Sequence, residues 1–160
     1  MPRPTLSRVT ALFAVIALSA TACASDPTTT PQTDSPFTFG SPAEPADADR
    51  VVEIRTTNEL VYEPSDISVA AGETVTFRLI NEGNLDHDFT LGDQETQDEH
   101  EAEMAEMSGM NHAEPNVILV PAGETAELTW KFGESGMVLI GCHQPGHYAG
   151  GMTGQVTIET

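Results

Sequence analysis

The sequence predicts one all-β domain, a sandwich or barrel of antiparallel strands, over residues 50–160, interrupted by a single acidic segment whose first part favours helix. Three observations carry this expectation. Short β-branched or alternating runs recur along the segment, and Gly- and Pro-containing turns separate them. That spacing is characteristic of sandwiches and barrels. The length of 160 residues leaves room, once an export signal is removed, for one domain of about 100 to 120 residues plus a tail. A second catalytic domain does not fit.

The chain begins with a targeting pattern. Arg3 and Arg8 form a positive start, and residues 9–20 form an apolar stretch too short to span a bilayer. Residues 1–22 are expected to be a cleaved signal peptide. Ala20-Thr21-Ala22-Cys23 suits a lipoprotein-processing enzyme that acylates Cys23 and leaves it as the mature N-terminus, and Ala-Thr-Ala also suits an ordinary A-x-A signal peptidase. A diacyl group on Cys23 would hold the protein at the outer face of the cytoplasmic membrane or in the periplasm. Residues 23–49 are rich in Thr, Pro, Ser, Asp and Ala, with Phe37 and Phe39 as the large apolar groups. They are expected to form the lipidated N-terminus and a disordered linker.

The strands follow in order. Residues 51–56 are β-branched between polar neighbours, and residues 67–69 alternate before the turn Ala71-Gly72-Glu73. Residues 74–80 alternate apolar and polar side chains, as a strand with one buried face does. After a turn over residues 81–84, His87 begins another strand, with Phe89 facing opposite to Asp88. Residues 116–120, 127–132, 137–142 and 154–159 complete the set, with turns at Pro121-Ala122-Gly123 and at residues 133–136.

Cysteine usage draws attention to the last connection. With Cys23 consumed by acylation, Cys142 is a lone thiol in an oxidising compartment, where burial or a metal must protect it. Its surroundings, Gly141-Cys142-His143-Gln144-Pro145-Gly146-His147-Tyr148-Ala149-Gly150-Gly151-Met152, put thiolate, imidazole and thioether on one loop. A mononuclear blue-copper site needs two imidazoles, a thiolate and a weak axial thioether, and this loop supplies three of the four. His87, on a distant strand, fits as the second imidazole. Pro145 and the glycines at 146, 150 and 151 permit the tight turns that would aim the loop donors at one point.

A His after an Asn-containing turn, followed by a C-terminal Cys, His, Met loop leading into the last strand, resembles the cupredoxin (type 1 blue copper) family of plastocyanin- and azurin-like proteins. The loop spacing is similar to that of auracyanin and rusticyanin. The resemblance covers residues 50–160 and implies a Greek-key β-sandwich or barrel holding one Cu(I)/Cu(II) ion. It also implies that His87 and His147 are the imidazole ligands, Cys142 the thiolate and Met152 the axial ligand, with His147 near the surface as the electron path. It implies a one-electron carrier with a redox partner, not an enzyme. Asp88 departs from the Asn that several members carry beside the first His, where that neighbour ties the two ligand-bearing segments. His143 is expected to be a loop residue facing away from copper.

The insert covers residues 93–115. On a helix His100, Met104 and Met107 share one face, and Met110 and His112 follow. Packing of a methionine stripe on the sandwich is the commoner cause of such spacing. The other reading is an auxiliary copper site for trafficking or storage, formed by His100, Met104, Met107, Met110 and His112. The formal charge of −19 makes nucleic-acid binding untenable and suits a redox partner with a basic surface.

Overall fold

Alternation sorts the side chains of this domain. In β4 (Asp66–Ala70), Ile67 and Val69 are buried and their neighbours are not, the pattern of a strand with one face on a core. The computed structural model describes residues 35–107 and 114–160. The expected signal peptide and Cys23, Met110 and His112 lie outside the described residues. Two five-stranded sheets are present among the described residues. One has the order β1 (Gly40–Pro42), β8 (Thr125–Phe132), β5 (Thr74–Asn81), β2 (Arg50–Thr56), β3 (Tyr62–Glu63). The other has the order β4, β10 (Thr153–Glu159), β9 (Gly136–Gly141), β6 (His87–Gly92), β7 (Val117–Val120).

Neither sheet closes on itself, so the fold is a sandwich rather than a barrel. The expectation of uniformly antiparallel strands is corrected at two pairings, β2 with β5 and β4 with β10, which are parallel. Parallel neighbours need a crossover between them. Here β4 crosses to the second sheet before β5 returns beside β2, in the Greek-key manner. Phe77 and Trp130 from the first sheet and Phe89, Ile140 and Val156 from the second are fully buried between the layers. The rings of Phe77 and Phe89 meet across the interface at 5.3 Å. Each such side chain contributes about 1.5–3 kcal/mol by burial.

Part of the segment expected to be a linker, residues 23–49, belongs to the sandwich. Gly40 pairs with Phe132 and Pro42 with Trp130, and a 3-10 turn, Pro45–Asp47, leads into β2. Two aromatic side chains provide the burial that average composition conceals. The rings of Phe37 and Phe39 lie 5.2 and 5.3 Å from that of Trp130, and Phe39 is buried.

The expected helix is present as α1 (Gln94–Met107). The Asp93 carboxylate caps its start, accepting the Thr96 N–H at 3.0 Å and the Thr96 hydroxyl at 2.9 Å. The helix lies on β6 and β9, so β6 is covered on both faces: Phe89 and Leu91 on the core side, Asp88 and Thr90 on the helix side, all buried. Gly92 permits this approach, since a Cβ there would sit 2.4 Å from the Thr96 side chain. Of the stripe expected to pack on the sandwich, His100 is buried and Met104 half-buried, with Gln97 buried beside them. Six of the 14 helical residues are acidic, too few are apolar for a dry seam, and hydrogen bonds make the contact instead. No helix among the described residues is long and apolar enough to cross a membrane.

Candidate metal centre

Strand pairing brings the first two donors together. His87 opens β6, Cys142 follows β9 directly, and β6 and β9 are neighbours with Thr90 opposite Gly141. His87 shares its strand face with Phe89, two residues on, and so points between the sheets.

The loop delivers His147. Gly146 (φ +83°) and Gly151 (φ +93°) adopt the left-handed conformation that glycine enters without a Cβ penalty. Between them the His147 N–H donates to the Gln144 carbonyl at 2.8 Å and the Met152 N–H to the His147 carbonyl at 3.0 Å. The Cys142 N–H closes the loop on the Met152 carbonyl at 3.2 Å. As a result the Cys142 sulfur lies 3.3 Å from His147 Nδ1 and 3.9 Å from His87 Nδ1. The three donor atoms fall within 4.8 Å of one another, and no other group of three His, Cys, Asp or Glu donors among the described residues does so. His87, Cys142 and Met152 are fully buried, and His147 keeps partial exposure.

Burial sets the protonation of this group. It pushes the Cys142 thiol up to about 12, and the neighbouring Asp88 charge adds to the effect. It also lowers His87, assisted by His147, and lowers His147. The pocket therefore favours neutral imidazoles and an intact thiol. A bound cation reverses the preference of the thiol. Two neutral imidazoles and one thiol converging on one buried point fit a copper ion: this donor set is that of His2Cys copper sites.

A second layer holds the donors in place. The Asp88 N–H points at the Cys142 sulfur at 3.5 Å, and its carboxylate accepts the His143 N–H at 2.9 Å and the Gln144 amide at 3.3 Å. Burial raises the Asp88 carboxyl to about 7, with these hydrogen bonds opposing. Thus Asp88 ties the two ligand-bearing segments although it is not Asn. The Tyr62 hydroxyl donates to the Asp88 carbonyl at 2.6 Å. Burial, then Cys142, raises the Tyr62 pKa.

Sequence reasoning missed Tyr62, which sits in the two-residue strand β3 with no periodic signal. It also underrated His143. That side chain faces away from the donor cluster, as expected, but it is buried and holds helix α1. Its Nδ1 lies 2.7 Å from the Glu101 carboxylate and its Nε2 lies 2.8 Å from Gln97 Oε1, while Tyr148 stacks on its ring at 4.5 Å. Of the insert residues, His100 meets the His143 ring edge-on at 5.0 Å and does not join the donor cluster.

Residues 49–159 match the profile of the copper binding proteins, plastocyanin/azurin family. The copper-resistant cuproprotein CopI of Pseudomonas aeruginosa is 39% identical over 150 residues, covering 76% of this chain and 82% of that protein. CopI of Rubrivivax gelatinosus is 35% identical over 126 residues, covering 79% and 76%. Among solved structures auracyanin B superposes with a TM-score of 0.64 at 22% identity, covering 76% of this chain and 97% of that one, which speaks to the fold. The chain belongs to the plastocyanin/azurin family of copper-binding proteins.

Proposed function

We propose that this protein is an exported one-electron carrier with a single type 1 copper centre, which His87, Cys142 and His147 would hold with the Met152 thioether as a fourth donor. The observation that carries this reading is the convergence of the Cys142 sulfur with two imidazole Nδ1 atoms inside a buried pocket. Copper bound there supplies the Cu(I)/Cu(II) couple. The chain keeps the donors fixed through the Asp88, Tyr62 and loop hydrogen bonds, so that little rearrangement accompanies a change of charge. Partial exposure of His147 gives the centre an edge toward a redox partner. Support for Met152 comes from its complete burial and its backbone bonds to both Cys142 and His147.

The test is a visible spectrum. Wild-type protein loaded with Cu(II) should show an intense thiolate charge-transfer band that is absent in Cys142→Ser, and a colourless wild-type complex would sink the reading. In Met152→Leu the band should persist while the potential rises, because loss of a donor weakens Cu(II) binding more than Cu(I) binding.

The acidic charge of −19 suits a partner with a basic surface, whose association rate should fall as ionic strength rises. We place the protein outside the cytoplasm, attached to a membrane through acylated Cys23, a reading supported by the sequence around that residue. Cys23→Ser should move it from the membrane to the soluble fraction, and mass spectrometry should find no acyl chain. A copper-storage role for the insert lacks support among the described residues: His100 is buried against His143, outside the one three-donor group.

A further inference from the structure

Helix α1 is fastened to the sandwich next to Cys142, and the His143 side chain contacts two of its residues. His143 follows Cys142 directly. Its backbone N–H bonds the Asp88 carboxylate at 2.9 Å, and Asp88 in turn directs its own N–H at the Cys142 sulfur at 3.5 Å. The His143 side chain reaches the opposite way, to Glu101 at 2.7 Å and Gln97 at 2.8 Å. The Gln97 amide nitrogen is committed to the carbonyls of Thr90 (3.1 Å) and Leu139 (3.4 Å), which turns its oxygen toward His143. Gln97 therefore bonds β6, β9 and His143 from one buried position.

Space around this cluster is fully used. A Cβ at Gly141 would lie 2.2 Å from Gln97 Oε1, 2.7 Å from His143 Nε2 and 2.9 Å from Tyr148 Cε2. The residue before Cys142 is thus a glycine where the helix contacts crowd the strand, and the residue after it is the anchor of the helix. Contacts this tight transmit displacement because packed interiors have low compressibility.

We infer that His143 is a positioning residue through which helix α1 braces the copper site, fixing the Cys142–His143 backbone and with it the Asp88 N–H to sulfur hydrogen bond. The insert then acts as a tuning element for the thiolate. Hydrogen bonds to a ligand sulfur and to its supporting groups set the electron density it offers the metal. Loosening the brace lengthens or breaks the sulfur hydrogen bond, and both the energy of the thiolate charge-transfer band and the reduction potential move. The inference rests on the copper reading above for its spectroscopic consequences and on geometry alone for its mechanical ones.

The test uses four variants of the full domain. Glu101→Ala removes the acceptor at His143 Nδ1. Glu101→Gln removes the charge but keeps an acceptor oxygen. His143→Phe keeps a ring against Tyr148 and His100 without either nitrogen. Glu99→Ala deletes one exposed carboxylate from the same helix and serves as the control for charge. In the copper-free proteins, amide exchange at Asp88 should accelerate about tenfold or more in Glu101→Ala and His143→Phe, with Leu128 on the other sheet unchanged. In the copper-loaded proteins the same two variants should shift the charge-transfer band and the potential, whereas Glu101→Gln should move the potential only as far as Glu99→Ala does. The brace is overturned if Glu101→Ala matches Glu99→Ala in band, potential and Asp88 exchange. A colourless wild-type complex would remove the copper reading instead, and the exchange comparison would then decide the brace by itself.

Discussion

Phe39→Ala tests whether residues 35–49 belong to the folding unit. Phe39 is 7% exposed and stacks on Trp130 at 5.3 Å with an interplanar angle of 24°. Removal of a buried phenylalanine ring costs about 3–5 kcal/mol. The low end applies here, about 3 kcal/mol, because Phe37 lies 5.3 Å away and is only partly buried, so it can move into the gap. Domains of this size are stable by about 5–15 kcal/mol, which makes the loss a large fraction of the total. With a urea dependence of about 2 kcal/mol per molar, the unfolding midpoint should fall by about 1.5 M. The chain contains one tryptophan, so fluorescence of Trp130 reports this contact directly, and far-UV circular dichroism reports the sheets. Both probes should shift together in the metal-free protein. Thr38→Ala, at an exposed neighbour, should stay within about 0.5 kcal/mol of wild type. A Phe39→Ala midpoint inside that same band would refute the reasoning and return the segment to the status of a linker.

Acid should weaken the domain through two groups far from the donor cluster. Glu73 is held below its ordinary pKa first by its hydrogen bond from Arg50 (2.5 Å), and Asp93 by the Thr96 N–H and hydroxyl. Both contribute stability that is present above the unfolded-state pKa and is lost as pH falls through the lower folded one. Urea midpoints between pH 6 and 2 should therefore decline less steeply in Glu73→Gln and Asp93→Asn than in wild type, and Asp93→Ala should cost about 1 kcal/mol at pH 7. Gly141→Ala should destabilise by about 1–3 kcal/mol through overpacking, read by thermal unfolding, since its Cβ would fall 2.2 Å from Gln97 Oε1. Copper uptake at pH 7 should release about one proton per ion, because the Cys142 thiol sits at about 12 in the metal-free pocket and both imidazoles are pushed toward neutrality. Calorimetry in buffers of different ionisation enthalpy measures that count, and a value near zero would speak against thiolate ligation.

The strands were legible because alternation reports which face of a segment is buried. Alternation does not report which strand lies alongside, so the parallel partners of β2 and β4 stayed hidden. The loop donors were legible because Cys142, His147 and Met152 sit close together in the chain, where residue type and glycine placement bear directly on geometry. What surrounds them was not. Tyr62 meets Asp88 across 26 residues, and His143 meets Glu101 and Gln97 across 42 and 46, and nothing local in either partner marks the contact. Helix α1 was foreseen from its composition and its docking face from the spacing of His100 and Met104, but the hydrogen bonds that Gln97 and His143 make there were not. The strap at Phe37 and Phe39 was obscured by averaging two aromatic side chains into a Pro- and Thr-rich background.

The parallel pairing of β4 with β10 has a kinetic side. Asp66 and Gln155, which face each other there, are 89 residues apart in sequence. Sheets built on such distant pairings fold on the millisecond-to-second scale. Until β6 docks beside β9, bringing the Asp88 N–H to the Cys142 sulfur across 54 residues of chain, that sulfur lacks its enclosure and behaves as an ordinary thiol, open to oxidants and to other thiols. Safekeeping of that sulfur therefore depends first on how quickly two remote stretches of chain find each other, and only afterwards on the pocket they build.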